Sequence, residues 1–154
     1  MGWIFAGIAQ FEARVTGFLA EGASRDERLM LVTDDPRADR WPESLVRSGQ
    51  LVIAGTSDVY GPDRLVDAGS QRATFEAAVA EARREGYAGL RVAADNTSLV
   101  LGPERREAWT EWEHIADDFI RDNPFTGLCA FDREQLTADD VRLLRGLHSA
   151  EMHA

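Results

Sequence analysis

Short apolar runs alternate with longer amphipathic stretches along the whole chain, and few folds other than a mostly parallel sheet with helices packed on it satisfy that order. Five strand-helix pairs can be read. Trp3 to Gly7 gives a first strand, and Ile8, Phe11, Val15, Phe18 and Leu19 then recur at helical spacing up to Gly22, read as a C-cap. Arg28-Leu29-Met30-Leu31-Val32-Thr33 is a buried strand ending in Asp34-Asp35-Pro36, where the proline sets a break before a helix over roughly Ala38 to Ser48. Gln50 to Ala54 is a third strand, followed by a long polar connection from Gly55 to Gly69 that carries Thr56, Ser57, Asp58, Tyr60 and Pro62.

Phe75, Ala78, Val79 and Ala82 form the stripe of the next helix, which stops before Gly86. Leu90 to Ala94 is the fourth strand, closed by Asp95-Asn96-Thr97-Ser98. A helix starting near Pro103 turns Trp109, Trp112, Ile115, Ala116 and Phe119 toward the sheet. Gly127 to Phe131 is the fifth strand. Thr137 then caps a last helix with acids in its first turn and Val141, Leu144 and Leu147 on its apolar side, before a fraying tail. The expected architecture is a three-layer α/β domain over residues 1–154, with a mostly parallel five-stranded sheet and helices on both faces.

Charge and residue usage narrow the chemistry. A net charge of -10 opposes general binding to nucleic acid and to anionic membrane surfaces. No apolar run is long enough to span a bilayer, and the apolar start at Trp3 lacks a basic flank and meets Gln10, Glu12 and Arg14, so a cytoplasmic domain is expected. Every basic residue among the 17 is arginine. Without lysine there is no phosphate-binding loop of the G-x-x-x-x-G-K type, no Schiff base and no receiver-type active site. The turn at Gly7 also lacks G-x-G-x-x-G. Cys129 cannot pair within the chain and reads as a small buried hydrophobe. His114, His148 and His153 lack metal-ligand spacing, so neither metal nor cofactor is expected.

Ligands of open parallel sheets bind beyond the carboxyl ends of the strands. Those ends carry Thr33-Asp34-Asp35, Thr56-Ser57-Asp58, Asp95-Asn96-Thr97-Ser98 and Asp132-Arg133. Carboxylates gathered there can accept hydrogen bonds from a ligand or hold Mg²⁺, and the same residue types also cap helices and form turns. The pocket is expected near Asp34, Asp58, Tyr60, Asp95, Thr97 and Asp132, with Asp35 beside them.

Glu85-Gly86-Tyr87-Ala88-Gly89-Leu90-Arg91-Val92, continued by Asp95, Asn96 and Thr97, resembles a pattern of the MEDS family, the methanogen and methylotroph sensory domain. Trp112-Glu113, Leu128-Cys129-Ala130-Phe131-Asp132-Arg133 and Phe18-Leu19-Ala20-Glu21-Gly22 extend the likeness over most of the chain, with Leu99 where the family commonly has tryptophan. The resemblance implies a relative of the RecA and KaiC-like ATPases that has lost its P-loop. It also implies a non-enzymatic role in sensing small molecules, with signalling partners of the kinase-like, anti-sigma or STAS type. Asp95, Thr97, Glu113, Cys129 and Asp132 are the positions that carry over. The alternatives are an interaction module or homodimer using Trp109 and Trp112, and, with least support, a Mg²⁺ enzyme built on the strand-end carboxylates.

Overall fold

The computed structural model describes residues 1–35 and 40–148. Pro36, the expected helix start at Ala38 and the tail with His153 lie outside the described residues. The chain forms β1 (Gly2–Phe5), α1 (Ile8–Ser24), β2 (Arg28–Thr33), α2 (Glu43–Arg47), β3 (Leu51–Gly55), α3 (Thr56–Tyr60), α4 (Ala68–Arg84), β4 (Leu90–Asp95), α5 (Pro103–Asp122), β5 (Phe125–Asp132) and α6 (Ala138–His148). The five strands are all parallel and lie in the order β1-β5-β4-β2-β3.

Side chains alternate along each strand, so the sheet divides the core in two. Trp3, Phe5, Leu29, Leu31, Ala93, Leu128 and Ala130 meet α1 and α2 through Phe11, Val15, Leu19, Leu45 and Val46. Ile4, Val32, Leu90, Val92 and Phe131 meet α4, α5 and α6 through Phe75, Val79, Trp109, Phe119 and Leu144. Three layers result, as the alternating sequence pattern requires.

Several boundaries differ from the sequence reading, and among them the helix expected up to Ser48 is an α-helix only over Glu43–Arg47. The connection after β3 is not a plain loop, because Thr56 to Tyr60 close a helical turn that buries Thr56 and Tyr60. β5 begins at Phe125 rather than Gly127 and β1 ends at Phe5 rather than Gly7. Gly22 does not cap α1. The helix runs on to Ser24 and is closed by Asp26 at φ 60, with Glu27 N–H donating to Gly22 O and Asp26 N–H to Ala23 O. Gly22 serves packing instead: a Cβ there would fall 2.5 Å from Arg91 Cδ and 2.6 Å from Leu29 Cδ2.

The segment Glu85 to Val92 is a folding device. Gly86 at φ 94 closes α4, with Tyr87 N–H donating to Ala82 O and Gly86 N–H to Arg83 O. A Cβ on Gly89 would sit 2.5 Å from the Pro124 carbonyl oxygen, which accepts from Leu90 N–H. Arg91, only 3% exposed, pairs with Glu27 at 3.0 Å and lies over the Phe18 ring. That pairing satisfies a buried guanidinium that would otherwise be costly to hold between sheet and helix.

Candidate functional site

Neighbouring strands send the chain to opposite faces at three places along the carboxyl ends of the sheet, and these mark crevices between β2 and β4, between β1 and β5, and between β2 and β3. β2 leads to α2 on one face while β4 leads to α5 on the other, and β1 and β5 diverge in the same way. The sequence-predicted residues Asp34, Asp35, Asp58, Asp95, Thr97 and Asp132 all stand on this crest.

The crest is spanned by the protein's own hydrogen bonds. Arg64, at φ 57, reaches across the first crevice, donating to Asp34 Oδ1 at 2.8 Å and to Ser98 Oγ at 3.2 Å. Asp95 Oδ1 accepts from Thr97 N–H at 3.1 Å and from Thr97 Oγ1 at 2.6 Å. Thr97 Oγ1 in turn accepts from Asp132 N–H at 2.8 Å, tying β4 to β5. Burial pushes the Asp95 carboxyl above its ordinary value, the Thr97 hydrogen bonds oppose that rise, and the charges of Asp34 and Asp132 add to it.

Asp132 spans the second crevice. Its Oδ1 accepts from Glu134 N–H at 3.0 Å and Gly7 N–H at 3.4 Å, and its Oδ2 accepts from Gln135 Nε2 at 3.2 Å. Only Ala6 and Gly7 separate β1 from α1, and the Glu134 carboxylate lies 3.7 Å from where a Gly7 Cβ would be. A turn so short, facing a carboxylate, has no room to cradle a phosphate. Asp35 is exposed, its N–H donating to Thr33 Oγ1, and Asp58 is exposed, its carboxylate turned back over Gly55. Among the described residues no group of three or more His, Cys, Asp or Glu side chains is placed to hold a metal ion.

The remaining predicted residues, Tyr60, Glu113 and Cys129, come together elsewhere. They line a cavity of about 140 Å³ between α5 and the sheet. Its floor is made by residues that sit side by side on β4 and β5, Val92 beside Gly127 and Ala94 beside Cys129. Its walls are the rings of Phe75, Trp112, Phe119 and Phe125. Small side chains on the sheet thus face large rings on the helices, and the mismatch leaves the void. Trp112 stacks on Phe75 at 6.0 Å and 26°, and Phe125 meets the same ring at 5.4 Å and 65°.

Tyr60 and Glu113 are 7% and 8% exposed. Burial, then the neighbouring Cys129 and Glu113, hold the Tyr60 phenol well above its usual range. This cavity lies beneath α5, on the face of the sheet, and of the residues expected around the strand ends only Tyr60 borders it. Sequence reading missed Phe75, Phe119, Phe125 and the small floor residues. Trp109 and Trp112 are 1% and 5% exposed, so neither is available as a partner-facing surface.

A family model described as MEDS, the methanogen/methylotroph, DcmR sensory domain, matches residues 1–149. No curated protein and no solved structure gives a significant match. The Glu85 to Val92 segment is accounted for by folding, whereas Trp112, Glu113 and Cys129 meet at the cavity. The chain belongs to the MEDS family of sensory domains.

Proposed function

We propose that the domain senses a small molecule held in the cavity beneath α5 and passes its occupancy to a signalling protein of the kinase-like, anti-sigma or STAS type, without catalysis of its own. One observation carries this reading: a largely apolar cavity walled by rings is also lined by three polar side chains, Tyr60, Glu113 and Cys129, which is the usual make-up of a specific small-molecule site. In this reading Asp34, Asp35, Asp58, Asp95, Thr97 and Asp132 are framework that fixes the strand ends and the loops around them.

A ligand seated between α5 and the sheet favours the arrangement in which α5 is packed down, by as much as its own binding free energy. α5 turns Glu107, Glu111, His114 and Asp118 outward, so its outer face is the natural place for a partner to read that state. The test is a thermal-shift screen of small metabolites on the full chain, repeated on Ala116→Leu, which fills the cavity from α5. A true ligand at a hundred times its Kd stabilises the native chain by about 2.7 kcal/mol and does nothing for the filled variant. Stabilisation that survives in Ala116→Leu places the ligand elsewhere, and a screen without any stabilising compound overturns the proposal.

A further inference from the structure

The lining of the cavity sets the shape and the hydrogen-bonding character of its ligand, a deduction that rests on the proposed role of the cavity as the ligand site. Phe75, Trp112, Phe119 and Phe125 supply ring surface, and Tyr60 adds a fifth ring beside Phe75 at 6.2 Å. On the floor, Gly127 brings no side chain and Ala94 a single methyl group. Rings meet other rings favourably, offset-stacked or edge to face, and each such pair adds to what burial alone gives. Size sets the upper limit, because about 140 Å³ is close to the ~150 Å³ apolar cavity that takes a single benzene. The space suits one small ring.

Tyr60 decides what that ring must carry. The side chain is 7% exposed, and burial, then the neighbouring Cys129 and Glu113, hold its phenol well above the usual range, so it keeps its proton. Its hydroxyl is a permanent donor. Among the described residues no acceptor is hydrogen-bonded to it, and both neighbours that act on it border the cavity. Buried donors are paired almost without exception, because one left without an acceptor keeps its full desolvation penalty. A purely apolar ligand leaves that penalty in place. A ligand that can only donate uses the phenolic oxygen and still leaves the hydroxyl hydrogen unpaired. A ligand with an acceptor removes the penalty and gains an orientation, its acceptor toward Tyr60 and its ring among the aromatic walls.

We infer that the cavity binds a single-ring aromatic molecule bearing a hydrogen-bond acceptor, with the Tyr60 hydroxyl donating to it. The test compares three small rings by titration calorimetry on the full chain, above neutral pH where pyridine is uncharged. Pyridine accepts, pyrrole only donates, and tetrahydropyran accepts but has no aromatic face. Pyridine is expected to bind about five- to tenfold more tightly than pyrrole. It should also bind at least about threefold more tightly than tetrahydropyran. Tyr60→Phe should lower pyridine affinity by about five- to tenfold and leave that of pyrrole within about twofold.

Equal or tighter binding of pyrrole overturns the inference and leaves the cavity standing as a small-molecule site. Tetrahydropyran binding as tightly as pyridine overturns it too, as does a pyridine affinity unchanged in Tyr60→Phe. Pyridine binding that survives Ala116→Leu lies outside the cavity and has the same consequence. If none of the three binds while the metabolite screen still yields a ligand blocked by Ala116→Leu, the inference fails and the broader reading survives. The comparison among probes on the unaltered protein does not depend on any variant folding.

Discussion

At the carboxyl ends of the strands Asp132 engages both oxygens with Gly7, Glu134 and Gln135, and Asp34 is held by an arginine that also reaches Ser98. Beneath α5, by contrast, Glu113, Tyr60 and Cys129 lie around a cavity lined chiefly by rings and aliphatic groups, with Asp117 also on its lining. Both places gather polar side chains beside one parallel sheet, yet at the first they shape turns and at the second they border a cavity. The general rule for open α/β sheets directs attention to the strand ends. In this chain the strand ends are bridged from within, and a cavity lies instead on a face where Gly127 and Cys129 fail to fill the gap under Trp112.

The largest effect that tests this contrast is the removal of an aromatic wall. Phe75 contacts the rings of Tyr60, Trp112, Phe119 and Phe125, so Phe75→Ala should cost about 3–5 kcal/mol in urea unfolding and abolish any cavity ligand. A loss below about 1 kcal/mol would mean that the walls are not packed as described. Asp132→Ala comes next. It removes three hydrogen bonds, two of them from backbone N–H groups, and is expected to cost about 2–3 kcal/mol while leaving ligand affinity within about twofold. A tenfold loss of affinity in a folded Asp132→Ala protein would return the crest to the binding site and break the comparison.

The same contrast explains what could be read from the chain alone. β2 is found at Arg28–Thr33 because a run of large apolar residues between polar turns has few other uses. The capping residue Thr137 is equally plain, since its Oγ1 accepts from Asp140 N–H and its own N–H donates to Asp140 Oδ2. α3 was hidden because Thr56-Ser57-Asp58 is turn-like in composition, and the helix forms around the burial of Tyr60 in the core under α4 and α5. The cavity was hidden for a different reason. Trp112, Ala116 and Phe119 spell an ordinary apolar stripe, and a void arises only because the strand register sets Val92 beside Gly127 and Ala94 beside Cys129 beneath them. One sequence signal pointed that way: small residues run through the middle of the fifth strand, opposite a helix rich in rings.

Tyr60 gives a smaller effect with a readable pH signature. Its phenol titrates above the ordinary value of 10.0 in the folded protein because burial and the nearby Cys129 and Glu113 disfavour the phenolate. The unfolded chain therefore ionises first, and stability present below pH 10 is lost as the pH rises beyond it. Tyr60→Phe should change stability at about pH 7 by less than about 1 kcal/mol and flatten that alkaline loss, followed by chemical denaturation from about pH 8 to about 11. An unchanged alkaline slope would show that Tyr60 is solvated, and with it that the cavity is open to water.

The smallest expected effect is at Asp95. Its carboxyl is raised from an ordinary value of 3.8, burial being the main cause, so the folded state holds the proton more strongly than the unfolded chain does. Below that ordinary value both states are protonated and the group contributes no penalty; as the pH rises through it, the unfolded chain ionises first and folded stability falls. Asp95→Asn keeps an oxygen to accept from Thr97 N–H and Oγ1–H while removing the charge beside Asp34 and Asp132. The variant should therefore be slightly more stable than the native chain at about pH 7, by under about 1 kcal/mol, with the gain vanishing toward about pH 3. The measurement is the difference in unfolding free energy between the two proteins across that range. A variant that is less stable at neutral pH would show that the crest needs the Asp95 charge, as a site for a cation or a partner would, and that its hydrogen bonds are not its whole purpose.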